Sequence, residues 1–169
     1  MKYKLTDESI EFDGVVLHRI QALKRFGLVK EGDLGGFVES EYNLSQKQNC
    51  WIGGNAKVYG DAKVYNDALV LENAVVCDMV RVWNDAEIRD NAVVFGTAKI
   101  HGYALVEGDI VIGGDTKITK RSGEVEIPKR SDEVEIPERS DEIEIPKRKK
   151  KEPPRIVDPR EVIPGAYDL

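Results

Sequence analysis

Four cations recur at intervals of eighteen residues, Lys63, Arg81, Lys99 and Lys117, and two positions after them stand Tyr65, Trp83, His101 and Thr119. Cations beside rings at a fixed interval could hold phosphates and stack bases or a nucleotide. The same residues also suit a plainer role, because aromatic ladders stabilise stacked strands and exposed lysines keep a surface soluble. His101 is the sole candidate general base in the repeats. A base needs a partner to orient it and a substrate within hydrogen-bond reach, and the neighbouring residues name neither.

Other chemistries are excluded by the inventory. The chain has two histidines, His18 and His101, and His18 lies in the segment before the repeats, so a three-histidine metal site is not expected. Cys50 and Cys77 form no CxxC pair, and two cysteines do not make a disulfide framework. P-loop, HExxH, GxSxG and dinucleotide fingerprints are all missing. The expectation is a non-catalytic protein without metal or cofactor.

A second interval-of-eighteen set is apolar. Val75, Val93 and Val111 follow Lys57, and Tyr59, Cys77 and Phe95 precede Gly113. A contiguous apolar strip on an exterior usually marks an interface. The strip Tyr59, Val75, Cys77, Val93, Phe95 and Val111 is therefore expected to join copies of the chain, as a dimer or trimer, or else to lie under the N-terminal segment or the tail folded back. The third set, Trp51, Leu69, Glu87 and Leu105 with Gly53, Leu71, Arg89 and Glu107, is mixed.

The element that would position these sets is a coil of three six-residue repeats. From Asn49 to Lys120 the chain divides into twelve hexads, NCWIGG, NAKVYG, DAKVYN and so on to DTKITK. The fourth place is β-branched throughout, from Ile52 and Val58 to Ile112 and Ile118, which favours strand over helix. The second place is small or compact, with Ala at 56, 62, 68, 74, 86, 92, 98 and 104. Places two and four share one side of an extended strand, so both line an interior while three and five face out. The sixth place is largely Gly, Asn or Asp, residues that tolerate a tight corner, and that accounts for the recurrence of Asp61, Asp67 and Asp85 nearby without any acid–base role. Before the repeats, Asp13-Gly14 between two alternating runs signals a hairpin, and residues 1–48 are expected to cap the coils.

This pattern, an aliphatic residue at every sixth position with a small one two places before it, resembles the hexapeptide-repeat left-handed β-helix proteins. The resemblance implies three hexads per triangular coil, about four coils over 49–120, and a left-handed wind that is an exception to the usual crossover rule. The string GDLGGFVESEYNLS followed by NCWI is similar to the N-terminal module of YdcK-like proteins, bacterial and phage β-helix proteins often labelled as transferases. Hexapeptide-repeat enzymes commonly trimerise and are best known as acyl-CoA-dependent acyltransferases. That activity, which would implicate His101, stands as an alternative to a structural or binding module. The register here extrudes no loop of the kind those enzymes often carry.

Beyond Lys120 the period becomes nine, RSGEVEIPK, RSDEVEIPE, RSDEIEIPK, and prolines recur. Alternating charge with few aromatics favours an extended tail. Two other readings are longer-cornered coils and a three-copy EVEIP peptide that adds a strand to a protein partner. The net charge of −6 is spread along the chain, which argues against a generic DNA-coating protein while leaving a local basic stripe open. No apolar run nears the roughly 18 residues that span a bilayer, so a cytoplasmic protein without a membrane partner is expected.

Overall fold

A computed structural model describes residues 1–120; the nine-residue repeats and the expected extended tail lie outside the described residues. The described chain is built of strands: β1 (Tyr3–Phe12), β2 (Val15–Ala22), β3 (Leu34–Val38), β4 (Trp51–Ile52), β5 (Lys57–Val58), β6 (Lys63–Val64), β7 (Leu69–Val70), β8 (Val75–Val76), β9 (Arg81–Val82), β10 (Glu87–Ile88), β11 (Val93–Val94), β12 (Lys99–Ile100), β13 (Leu105–Val106), β14 (Val111–Ile112) and β15 (Lys117–Ile118). A single 3₁₀ turn, Glu41–Asn43, follows β3 among these residues.

Every third short strand pairs in parallel with the next, giving the stacks β5-β8-β11-β14, β6-β9-β12-β15 and β4-β7-β10-β13. The chain is thus a parallel β-solenoid with three walls. Its aliphatic column is buried from Ile52 to Val106 and again at Ile118, with Ile112 half-buried, while Lys63 and Lys99 face water. Each buried aliphatic side chain contributes roughly 1.5–3 kcal/mol, an upper bound because the unfolded chain is itself compact. At the corners, the sixth residue of eleven hexads has φ between 58° and 85°, including Glu72 at 60°. Asn and Asp side chains ladder there, Asn49 to Asp67 at 2.8 Å and Asn73 to Asn91 at 3.1 Å.

The solenoid has about five turns where four were expected. The extra turn precedes Asn49: β3 pairs in parallel with β5 through Phe37↔Lys57 and Val38↔Val58, and Leu44 bridges Val64. Gly36 fills the small column of this first turn, and a Cβ there would lie 2.4 Å from the Ala56 carbonyl oxygen. Asn43 replaces strand hydrogen bonds at the next corner, its amide donating to the carbonyls of Gly60 and Ala62 at 3.0 Å each.

The hairpin of β1 and β2 turns at Asp13-Gly14, both with positive φ, and pairs with the free edge of β3, which covers an otherwise open sheet edge. It serves two cores with opposite faces. Tyr3, Leu5, Ile20 and Ala22 close the base of the solenoid interior, whereas Ile10, Phe12, Val15 and Leu17 lie on the outer wall against Phe37, Tyr59, Val75, Cys77, Val93 and Phe95. The pairing register slips between Leu5 and Ser9, a bulge of the kind that bends and twists a strand pair.

The apolar strip is consequently occupied within one chain. Tyr59, Val75, Cys77 and Val93 are buried beneath the hairpin, Phe95 is half-buried and Val111 is exposed, so β1 and β2 lie over the strip in the fold-back arrangement that was the alternative to a second copy. Both cysteines are buried, Cys50 in the interior and Cys77 beneath this cover.

Candidate functional site

The wall made by β6, β9, β12 and β15 is left uncovered by the hairpin. Alternation in each two-residue strand sends Val64, Val82, Ile100 and Ile118 inward and leaves Lys63, Arg81, Lys99 and Lys117 outward. Parallel in-register pairing sets Lys63 against Arg81, Arg81 against Lys99, and Lys99 against Lys117 on successive rungs. Like charges directly opposite destabilise a sheet. Among the described residues none of the four takes part in a salt bridge, whereas on the third wall Arg89 pairs with Glu107 and with Glu87 at 3.4 Å.

Beside the cations runs a column of rings. Tyr65 and Trp83 are stacked with centroids 5.8 Å apart and planes 1° from parallel, and Trp83 and His101 are stacked at 4.3 Å and 13°. Burial within the stack pushes the Tyr65 phenol above its ordinary pKa. Burial, reinforced by the Lys117 charge, lowers that of the His101 imidazole, favouring its neutral form. The rings use their faces on one another, which changes what the column can do. Trp83 is covered on both sides, so bases cannot stack along the ladder, and only the terminal rings keep a face to offer.

Two adjoining depressions open at the first-coil end of this wall. The larger, about 580 Å³, is lined by Tyr65, Lys63, Leu44, Ser45, Gln46, Tyr42 and Glu41 among others. The smaller runs from Lys63 and Tyr42 to Glu39 and Asp61. The structure therefore brings Lys63 and Tyr65 to a concavity and keeps Arg81, Trp83, Lys99, His101 and Lys117 on an open rail. Among the described residues no side chain hydrogen-bonds to the His101 ring, whose plane is set by its stack on Trp83. No group of three or more His, Cys, Asp or Glu able to hold a metal occurs among the described residues.

No family model and no curated protein matches this chain.

Two features of consequence escape sequence reasoning. Tyr42 stands 84% exposed at the rim of both depressions, on a 3₁₀ turn capped by Ser40. Lys2 is buried at the solenoid base, where its ammonium donates to the carbonyls of Cys50 at 2.7 Å, Gln48 at 3.3 Å and Lys47 at 3.4 Å and lies 4.8 Å from the Phe26 ring centroid. A sequence gives no sign of either, because Tyr42 occupies a place that would point inward in a regular hexad and Lys2 is an ordinary surface residue type. Among the described residues no helix is long and apolar enough to cross a membrane.

Proposed function

We propose that the chain is a non-catalytic β-solenoid binding module, of the YdcK-like kind its N-terminal string resembles, that holds a phosphate-bearing polyanion along the Lys63–Arg81–Lys99–Lys117 wall. The observation that carries this reading is the run of four like charges on adjacent rungs with no described ion-pair partner. Such a run is unfavourable in the free protein and becomes favourable once an anion with repeated charges lies across it. The rungs repeat at about 4.8 Å, close enough that a single extended strand of phosphates meets several cations together. The covered hairpin wall and the Glu-bearing third wall offer no comparable surface.

Polyphosphate and single-stranded nucleic acid share the required chemistry. Binding of inorganic polyphosphate and of a short oligothymidylate to the full chain, followed across a salt series, tests the proposal and tells the two apart. Four phosphate contacts correspond to a slope of log affinity against log salt near about −3, and Lys99→Gln removes about 0.7 of it. Binding that ignores both salt and Lys99→Gln would refute this use of the wall.

A further inference from the structure

The ring column stops one rung short of the first coil. Leu44 bridges Val64 and the Ser45 N–H donates to the Val64 carbonyl at 2.9 Å, so Ser45 occupies the outward place directly below Tyr65. Where the coils above present Trp83 and His101, the first coil presents a hydroxymethyl group. One face of Tyr65 is used by Trp83; the other borders the larger depression, whose floor beside it is the backbone of Leu44 and Val64, since both of those side chains are buried in the interior.

The rim supplies the remaining parts. Tyr42 lies two places before the inward Leu44, where a regular hexad would bury a small residue, and the 3₁₀ turn carries it outward instead. The turn is fixed: Ser40 accepts from the Tyr42 N–H, and Asn43 is tied to Gly60 and Ala62. An exposed aromatic ring is thereby placed at the rim of a concavity that Tyr65 also lines. Lys63 lines the same concavity, with Arg81 one rung above it, and Glu41 adds a carboxylate acceptor to the rim. The depression, about 580 Å³, is open to solvent, so a ligand there would be held at its edges by the rim residues.

We propose that this depression is a nucleotide site, in which the base enters the missing rung against Tyr65, Tyr42 closes over its second face, and Lys63 takes the phosphate. Planar heterocycles satisfy the gap because every base has a π-face, and the flanking aromatic pair is the usual means of holding one. Glu41 accepts hydrogen bonds from an edge rich in N–H donors and repels a second anion on its side. It thus favours guanine over uracil and orients the phosphate toward Lys63. The inference rests on reading the wall as anion-binding and adds a ligand of defined shape at its end.

Calorimetry on the full chain with GMP, UMP, guanosine and inorganic polyphosphate tests it. GMP is expected to bind more tightly than UMP and guanosine, and Tyr65→Ala, Tyr42→Ala and Lys63→Gln are each expected to weaken it at least tenfold. Ser45→Phe is the sharpest variant, because it completes the column with a ring of the protein's own. It should abolish GMP binding and leave polyphosphate binding to the rail unchanged, with the chain still folded despite loss of the bond that the Ser45 hydroxyl accepts from the Lys47 N–H at 3.1 Å, as a cooperative thermal melt would show. GMP binding that survives Ser45→Phe, or that ignores Tyr65→Ala, overturns the site. Polyphosphate binding without GMP binding overturns the site and leaves the rail standing, and failure of both ligands removes the two readings together.

Discussion

The Tyr59 hydroxyl donates to the Asp13 carboxylate across 3.2 Å, tying the outer wall of the second coil to a hairpin tip 46 residues earlier in the chain. Phe12, next to that tip, meets the Tyr59 ring edge-on at a centroid distance of 6.0 Å, and the Lys57 ammonium lies 5.0 Å from the Phe12 centroid. The contact between hairpin and wall is therefore both apolar and specific in its register.

Val93→Asp is expected to destabilise the chain by about 3 kcal/mol or more, because it places an unpaired carboxylate beneath the hairpin. Tyr59→Phe should cost about 1–2 kcal/mol through loss of the bond to Asp13. Urea unfolding measures both. Normal stability of Val93→Asp with a change in solution mass would mean that the wall meets another copy and not the hairpin.

Lys2→Met keeps the stem of the side chain and removes the donor that satisfies the carbonyls of Cys50, Gln48 and Lys47 at the solenoid base. Leaving such groups unsatisfied costs about 1–3 kcal/mol, and that loss is the expected fall in unfolding free energy. Hydrogen exchange should show it first in the amides of the first coil, next to the missing donor.

Gly36→Ala and Gly14→Ala separate two reasons for a glycine. A Cβ at Gly36 meets the Ala56 backbone at 2.4 Å, and strand backbone cannot yield without shifting the coil, so a loss of about 1–3 kcal/mol or more is expected. Gly14 has open space around it and φ of +73°, so its substitution carries only the left-handed backbone cost of about 1–2 kcal/mol. Thermal melts of the two variants should rank in that order.

His101 should titrate below the ordinary histidine value, with burial as the main cause and Lys117 as the second, so Lys117→Gln restores only part of the shift. In the window between the lowered folded value and about 6.5, the unfolded chain holds more protons; stability therefore rises with pH through that window and is lower on its acid side. Protonation also adds a cation beside the rail, so polyphosphate affinity should increase as pH falls through the folded value. Proton NMR of the imidazole and a pH series of binding measurements check the two halves.

The aliphatic and small columns made the solenoid legible because six-residue periodicity admits one packing solution, and the Asp13-Gly14 turn was equally plain. The first coil was hidden by a local irregularity. Val38 and Leu44 are six residues apart and already in phase, but eight separate Leu44 from Ile52, where Gln46 to Asn49 make a longer corner. The cover on the apolar wall left a trace that depends on tertiary context to be understood. Alternation in β2 changes phase from Val15 and Leu17 to Ile20 and Ala22, as it does in β1 from Tyr3 and Leu5 to Ile10 and Phe12, the mark of strands with a different core at each end. The order of cations and rings on the candidate wall followed from spacing alone. That the rings would spend their faces on one another, leaving one surface free beside Tyr42, depended on rotamers and on a 3₁₀ turn that periodicity does not encode.

Among the described residues, each turn from the second coil onward consumes eighteen residues and returns the chain to the same three corners, while the irregular segments lie at the hairpin end. Gene duplication or loss of one such block would alter the rod in whole steps of about 4.8 Å, adding or deleting one cation and one neighbour in its column without disturbing the plug at the base. Under the proposed binding mode, selection on the length of an anion would act as on a ruler, by the number of graduations and not by the shape of any one of them.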